Sequence, residues 1–191
     1  SSNLYSVYAV TSANRLYVWG NNSAGQLGTY NTAAVQQPIL IPSLSSIDVQ
    51  SVKAVGAGDG ATSYALTPTG SVYVTGDNTS GQLGIDYGTS VDLTSYTLLS
   101  TVTDVAAIYV VGEAKNNSIW FVSTNGQVSA AGFNNALSPL GCPQLGDVTG
   151  VANVSALSGG ARAVSKIVGH TNGKLRTMFA LTSANELFGW G

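Results

Sequence analysis

Charged side chains are scarce in this chain: they make up 8% of its 191 residues, against roughly a quarter in ordinary soluble domains. Seven Lys and Arg residues stand against nine Asp and Glu residues, which gives a net charge of −2 and a pI near 5.0. The basic residues are scattered, so the sequence predicts no nucleic-acid interface, which needs clustered cations. Ser, Thr, Asn, Gln and Gly must cover the surface. This composition favours a cell-surface or extracellular protein, with a nuclear or cytoplasmic protein as the alternative.

Cysteine and long apolar runs are also lacking. Cys142 is the one cysteine, so no disulfide can form within the chain, and we expect it to be a small loop residue. No apolar run reaches the length of about 18 residues that spans a bilayer, and no charged-then-apolar leader opens the sequence. We therefore predict no membrane insertion. The start at Ser1 and Ser2, without Met, is typical of a processed or excised segment.

Residues that carry chemistry are few and dispersed. His170 is the one histidine, so no second imidazole completes a metal cluster, and no Gly-x-Ser-x-Gly elbow marks a nucleophile. The carboxylates follow neither the pattern of a calcium loop nor that of a catalytic pair. Residues 56–61, GAGDGA, match a dinucleotide fingerprint, but a strand-like segment containing Pro68 follows where that site needs a helix. The sequence predicts a non-enzymatic protein without a cofactor or metal.

Repetition is what the sequence has in abundance. Residues 8–20, YAVTSANRLYVWG, return almost unchanged as FALTSANELFGWG at residues 179–191. Two further copies end at Gly76 and Gly132, so the closing glycines lie 56, 56 and 59 residues apart. A fixed period of this size indicates stacked units, none of which can bury its apolar face alone. We interpret residues 1–191 as one repeat region with units that end near residues 20, 76, 132 and 191.

Short strand signals and turn signals alternate within each unit. Residues 52–55, 64–67 and 72–75 are apolar or alternating runs rich in β-branched and aromatic residues. Between paired runs stand Asn14, Gly70 and Gly126, residue types that tolerate the positive φ of a tight hairpin. The sequence therefore predicts an all-β fold in which each unit begins with a strand and continues with a hairpin.

A second motif, Gly-Gln-Leu-Gly, follows two of the closing glycines. The matching positions are Gly20, Asn22, Gly25, Gln26, Leu27 and Gly28 in the first unit, and Gly76, Asn78, Gly81, Gln82, Leu83 and Gly84 in the second. Together with the strand pattern, these positions resemble the repeat of the RCC1 (regulator of chromosome condensation) family of β-propellers. The third copy keeps Gly132 and Asn134 but has one extra residue and lacks Gly-Gln, and the fourth ends at Gly191. The stretches before the strand motif, 58–62 and 112–117, also lack the family's Gly-x-x-His segment.

The resemblance implies propeller blades, of which three and a fraction are present, whereas a propeller closes with roughly four to eight. We therefore expect the chain to be part of a larger propeller, or to be completed by other copies through strand addition at open sheet edges. The repeat glycines are expected to permit sharp turns and close backbone approach. Asn22, Asn78 and Asn134 are expected to cap the turns through side-chain bonds to the backbone.

Two functions stay open at this point. The scarce charge and the absent catalytic cluster favour a non-enzymatic structural or protein-binding scaffold of a surface or extracellular assembly, which binds protein partners or copies of itself. The resemblance also permits an RCC1-like guanine-nucleotide exchange factor or regulator of a small GTPase. Candidate glycosylation acceptors, each with Ser two residues later, are Asn21, Asn78, Asn116 and Asn153. Asn78 is the least free of them because it is also a predicted turn cap.

Overall fold

A computed structural model describes residues 5–85, 92–113, 115–134, 140–141, 148–154, 157, 163–172 and 175–191. Cys142 lies outside the described residues. Apart from short 3-10 helices at Pro42–Leu44 and Gly58–Gly60, the regular structure in these ranges is β-strand. The strands are β1 Ser6–Val10, β2 Leu16–Gly20, β3 Val35–Leu40, β4 Ser51–Val55, β5 Thr62–Leu66, β6 Val72–Gly76, β7 Leu93–Leu98, β8 Val105–Glu113, β9 Asn116–Ser123, β10 Val128–Gly132, β11 Val148–Asn153, β12 Val164–Asn172, β13 Leu175–Thr182 and β14 Leu187–Trp190.

These strands form four antiparallel sheets in which neighbours in the chain are neighbours in the sheet. Sheet A contains β1 to β3, sheet B β4 to β7, sheet C β8 to β11 and sheet D β12 to β14. Each sheet is thus a simple meander, in which tight turns and longer loops join the short strands. The prediction of an all-β fold is confirmed.

A tight turn joins the two strands of each repeat motif, and its geometry explains the residue chosen there. Asn14, Gly70, Gly126 and Asn185 have φ values of 60°, 81°, 79° and 62°, a left-handed conformation that Gly and Asn tolerate best. Because the strands are antiparallel, all four turns lie at one end of their sheets. We call this the hairpin end, and the opposite end, which carries the Gly-Gln-Leu-Gly loops, the loop end.

The core lies between successive sheets. The first strands of sheets B, C and D lie next to one another in space, since β4 contacts β8 and β8 contacts β12. Each sheet buries one apolar face on the next, which is the physical reason that the sequence repeats. The three clusters are represented by Leu16, Val18 and Ala65 between sheets A and B, by Tyr64, Leu66 and Phe121 between B and C, and by Trp120, Val122 and Met178 between C and D.

The closing glycine of the repeat is required by a close backbone contact. Gly76 has φ of 108°, and a Cβ at this position would lie 2.4 Å from the main-chain oxygen of Ala61. Gly20 and Gly132 have φ of 101° and 100°, and a Cβ at either would meet a main-chain oxygen at the same 2.4 Å. No other residue type fits this conformation and this contact without moving the backbone.

Candidate protein interface

The Gly-Gln-Leu-Gly loops consist of two successive turns. In the first loop, the Gly25 amide donates to Asn22 O at 2.9 Å and the Gly28 amide donates to Gly25 O at 2.9 Å. The second loop repeats this pattern at Gly81 and Gly84, with distances of 3.0 and 2.9 Å. The backbone of the loop therefore follows the same path in both units.

A buried asparagine side chain spans each of these loops. Asn22 Oδ1 accepts a hydrogen bond from the Leu27 amide at 2.8 Å, and Asn78 Oδ1 accepts one from the Leu83 amide at 3.0 Å. In the third unit Asn134 Oδ1 accepts from the Leu140 amide at 3.2 Å. The bond thus persists although the third loop is one residue longer; residues 135–139 lie outside the described part.

Hydrogen bonds hold both the side chain and the main chain of the glutamine of the motif. Gln26 Oε1 accepts from the Ala24 amide at 3.0 Å, and the Tyr8 hydroxyl donates to the Gln26 main-chain oxygen at 3.0 Å. The equivalent hydroxyl, that of Tyr64, donates to Gln82 O at 2.8 Å. Burial raises the pKa of Tyr64 above its ordinary value of 10, so this hydroxyl stays protonated and remains a donor.

Each loop packs on the sheet that follows. Ser63 Oγ of sheet B donates to Gln26 O at 2.7 Å, and a Cβ on Gly28 would lie 2.6 Å from the ring of Tyr96. A Cβ on Gly84 would lie 2.9 Å from Val151 of sheet C. The repeat positions therefore serve contacts within and between sheets, and the candidate interaction surface must be sought elsewhere.

Asp77 occupies in the second loop the position that Asn21 occupies in the first. Its carboxylate accepts from the Thr79 amide at 3.2 Å and from the side chain of Gln82. Burial and, to a lesser degree, the nearby Asp92 carboxylate raise the pKa of Asp77 above its ordinary value of 3.8. The loop therefore holds a carboxylate in a place where its charge is unfavourable.

The candidate glycosylation residues differ in access. Asn78 is only 3% exposed and its side chain spans the loop, so it is the least accessible of the four. Asn21 Oδ1 accepts from the Gln26 side chain at 2.9 Å and the residue is half-buried. Asn116, at the start of β9, is half-buried, whereas Asn153, at the end of β11, is exposed. Glycosylation at all four positions stays a prediction.

In the described ranges, the residues that could act in catalysis or bind a metal do not lie close together. His170 is exposed on β12, opposite Thr177 of β13. Within those same ranges, three or more His, Cys, Asp or Glu residues nowhere come together as metal ligands would. A search of the described residues also finds no helix with the length and apolarity needed to cross a membrane.

An open groove lies at the hairpin end, between sheets A and B. This hairpin groove has a volume of about 460 Å³, within the range of ligand-binding clefts, and is lined by Arg15, Ser46, Ile47, Asp48, Thr67, Pro68, Thr69, Ser71 and Tyr73. Arg15 Nη1 donates to Ser45 O at 3.1 Å and lies 3.8 Å from Asp48 Oδ1. The groove thus joins hydroxyl groups, one tyrosine ring and one exposed ion pair.

The repeat places a second groove between sheets B and C. It measures about 150 Å³, and its lining includes Ser123, Gln127 and Ser129, which stand 56 residues after Thr67, Ser71 and Tyr73. The hairpin end thus presents a row of similar grooves with different side chains. The sequence analysis missed this surface; the signal was present in the variable residues beside each hairpin turn, such as Arg15 and Tyr73.

Comparisons with known proteins identify the repeat. A family model described as "Regulator of chromosome condensation (RCC1) repeat" matches residues 14–63, and a second model of the same description matches residues 52–82. The chain is 35% identical over 184 residues to mouse E3 ubiquitin-protein ligase HERC2, a match that covers 92% of the chain and 3% of HERC2. It is 29% identical over 140 residues to human X-linked retinitis pigmentosa GTPase regulator, a match that covers 68% of the chain and 13% of that relative.

Solved structures show the same fold. Human WBSCR16 superimposes with a TM-score of 0.75 at 20% identity, over 97% of this chain and 44% of its own. Prp20p from Saccharomyces cerevisiae superimposes with a TM-score of 0.63 at 20% identity, over 85% of this chain and 39% of its own. The chain therefore spans less than half of each of these proteins. With its repeated sequence, its four meander sheets and these matches, the chain belongs to the RCC1-type repeat family of β-propellers.

Proposed function

We infer that this chain supplies blades of a non-enzymatic, protein-binding propeller that regulates a small GTPase. The observation that carries the proposal is the hairpin groove, an open cleft of about 460 Å³ beside variable turn residues. The relatives support the class of partner. One is named a GTPase regulator, and Prp20p is described as binding Gsp1p and histones.

The chemistry of the hairpin groove suits a protein loop better than a highly charged ligand. Its one cation, Arg15, lies beside the Asp48 carboxylate, so little net charge is available to bind phosphate groups. Tyr73 offers an apolar ring with a polar tip, and Thr69 and Ser71 offer hydroxyl groups. Tyrosine and arginine are the residue types that most often dominate the binding energy of protein interfaces.

A purely structural scaffold is the second candidate, and the low content of charged residues, 8% of the chain, favours it. The cell-surface or extracellular location predicted from composition and the glycans predicted from the Asn-x-Ser motifs gain no support from the relatives. They stay predictions.

The direct test measures release of fluorescent GDP from a panel of purified small GTPases with and without the chain. We expect the chain to change the release rate of at least one GTPase. Arg15→Ala is expected to weaken that effect about tenfold or more, because an interfacial arginine is often a major contributor. The exposed ion pair that it removes contributes little to folding, so the variant keeps the fold.

Lys115→Ala is the matched control, since it removes one exposed cation at the turn between β8 and β9, at the opposite end of the sheets. This control is expected to act like the parent chain. Absence of binding and of any change in GDP release across the panel would contradict the GTPase proposal. An equal loss in Arg15→Ala and Lys115→Ala would instead contradict the assignment of the interface to the hairpin groove.

A further inference from the structure

The turn between β9 and β10 is bonded differently from the corresponding turns of the other three sheets. In those turns a threonine hydroxyl accepts a hydrogen bond from the main-chain amide four residues later, at 3.2 Å for Thr11, 3.0 Å for Thr67 and 3.1 Å for Thr182. In sheet C the corresponding amide, that of Gln127, donates instead to the side-chain oxygen of Asn125 at 3.0 Å. The side chain of Asn125 is therefore part of the bonding of its own turn.

A second donor reaches the same oxygen atom. The hydroxyl of Ser123, which stands at the position of those threonines, donates to Asn125 Oδ1. Asn125 Nδ2 donates to Gln127 Oε1 over a longer distance of 3.4 Å. Because Asn125 is exposed, water reaches its side-chain amide. Two donors thus hold the carbonyl oxygen of this amide, whereas its nitrogen is bound more weakly.

The residue that follows Asn125 is a glycine. A main-chain nitrogen that follows an asparagine is placed to attack the side-chain carbonyl carbon and close a five-membered ring. Since Gly126 has no Cβ, it hinders this attack less than any other residue type would. Asn172 also precedes a glycine, but Gly173 lies outside the described residues. Among the described pairs, residues 125 and 126 therefore combine an exposed asparagine with an unhindered nitrogen.

We propose that Asn125 is a site of spontaneous deamidation in the folded chain, promoted by the two donors at its side-chain oxygen. The Gly126 nitrogen gives up its proton and bonds to Asn125 Cγ, the bond from Cγ to Nδ2 breaks, and ammonia leaves. Water then opens the cyclic imide at either carbonyl, which gives aspartate or isoaspartate. Negative charge develops on Oδ1 during the attack. The Gln127 amide and the Ser123 hydroxyl already donate to that atom, as donors do in an oxyanion hole.

One hydrogen bond opposes the reaction. The Gly126 amide donates to Ser123 O at 2.8 Å, so this bond must open before the nitrogen attacks. Opening one such bond lowers the reactive population roughly two- to tenfold, which slows the reaction without blocking it. Asn22, which precedes Ser23, is a contrasting case. It is buried, and both its Oδ1 and its Nδ2 are hydrogen-bonded, so several buried bonds must be lost there before attack.

Deamidation would change the second groove of the hairpin end. Ser123 and Gln127 line this groove between sheets B and C, and the product places a carboxylate between them. Isoaspartate also adds one carbon to the main chain of the turn. The turn is tightly packed, since a Cβ on Gly126 would lie 2.4 Å from Ala163. The reaction therefore alters both the charge and the shape of this groove.

The test is incubation of the folded chain at neutral pH and body temperature for several weeks, followed by digestion and mass spectrometry. Because Asn172 also precedes a glycine, the measured quantity is conversion at residue 125, assigned from fragment ions, and not the intact mass. We expect Asn125 to convert to aspartate and isoaspartate at least roughly tenfold faster than Asn22, the internal control, whose buried bonds must first be lost. Conversion at Asn125 no faster than at Asn22 would overturn the proposal.

Variants of the turn test the role of the donors. Ser123→Ala removes one donor and is expected to slow conversion at Asn125 roughly two- to tenfold. Ser123→Thr keeps the hydroxyl, and threonine occupies this position in the other three sheets, so we expect a rate near that of the parent chain. Thr124→Ala is the matched control, since Thr124 is an exposed residue of the same turn. Thermal unfolding checks that each variant folds. A rate in Ser123→Ala equal to or above that in Thr124→Ala would overturn the role of the hydroxyl.

Discussion

Replacement of Asn22 by Ala is expected to lower the free energy of unfolding by about 3 kcal/mol. The Asn22 side chain is buried, and its Oδ1 is the acceptor for the Leu27 amide at 2.8 Å. Its Nδ2 donates to Thr29 Oγ1 at 2.9 Å and to Asn31 O at 2.8 Å. One side chain thus holds together the start, the middle and the end of the first loop.

The magnitude follows from the groups that alanine leaves without partners. The Leu27 amide belongs to a fully buried residue, and an unsatisfied buried donor costs about 1–3 kcal/mol. Nδ2 also donates to Ala33 O at 3.2 Å, and the bonds made by its two hydrogens add about 0.5–1.5 kcal/mol each. For a chain of this size, about 3 kcal/mol corresponds to a decrease in Tm of roughly 6–12 °C.

The assay is urea and thermal unfolding of the parent and two further variants. Asn22→Asp keeps the acceptor for Leu27 but sets a carboxylate against the Asn31 carbonyl oxygen, so we expect a loss at least as large. Asn125→Ala is the control: Asn125 is exposed, and its Oδ1 accepts only within its own turn, from the Gln127 amide at 3.0 Å and from the Ser123 hydroxyl. The reasoning would be refuted if Asn22→Ala lowered the free energy of unfolding by less than about 1 kcal/mol, or by no more than Asn125→Ala does.

Two further predictions concern the backbone and the charge of the second unit. Gly76→Ala is expected to destabilise by about 3 kcal/mol or more in denaturant unfolding, because its φ is 108° and a Cβ would lie 2.4 Å from a main-chain oxygen. Gly58→Ala, also at positive φ but with no atom within 4 Å of its Cβ, should cost much less; equal costs would contradict the role of the contact. Asp77→Asn is expected to raise Tm at pH 7. Since the pKa of Asp77 is raised in the folded state, ionisation of this carboxyl lowers the free energy of unfolding as pH rises above 3.8. The increase in Tm caused by Asp77→Asn should therefore vanish below about pH 4. A gain independent of pH would contradict this explanation.

Local signals made much of the fold predictable. The turn residues Asn14, Gly70 and Gly126 were identified from the sequence because a tight hairpin needs positive φ, and few residue types tolerate it. The strands beside them were identified from β-branched and aromatic runs. Both signals depend on a few adjacent residues, so they can be recognised without knowledge of the rest of the chain.

The partners of the repeat residues were less accessible to sequence reasoning. The residue type of Asn22 indicated a turn cap, but its bond to the Leu27 amide depends on how the whole loop is folded. That Gly28 packs against Tyr96, in the next unit, could not be read from spacing. Such contacts join residues that are far apart in sequence, and the repeat pattern gives only the period at which they recur.

The sequence by itself determined the all-β fold, the period of the units and the positions of their turns and closing glycines, because hydrophobic pattern and backbone conformation are local properties. Tertiary structure alone decided which apolar residues are core. Phe179 and Tyr64 occupy the same repeat position, yet one is exposed and the other buried. The residue type is similar in both; the difference is the presence or absence of a neighbouring sheet. The hairpin groove has the same origin, since it exists only where two sheets meet.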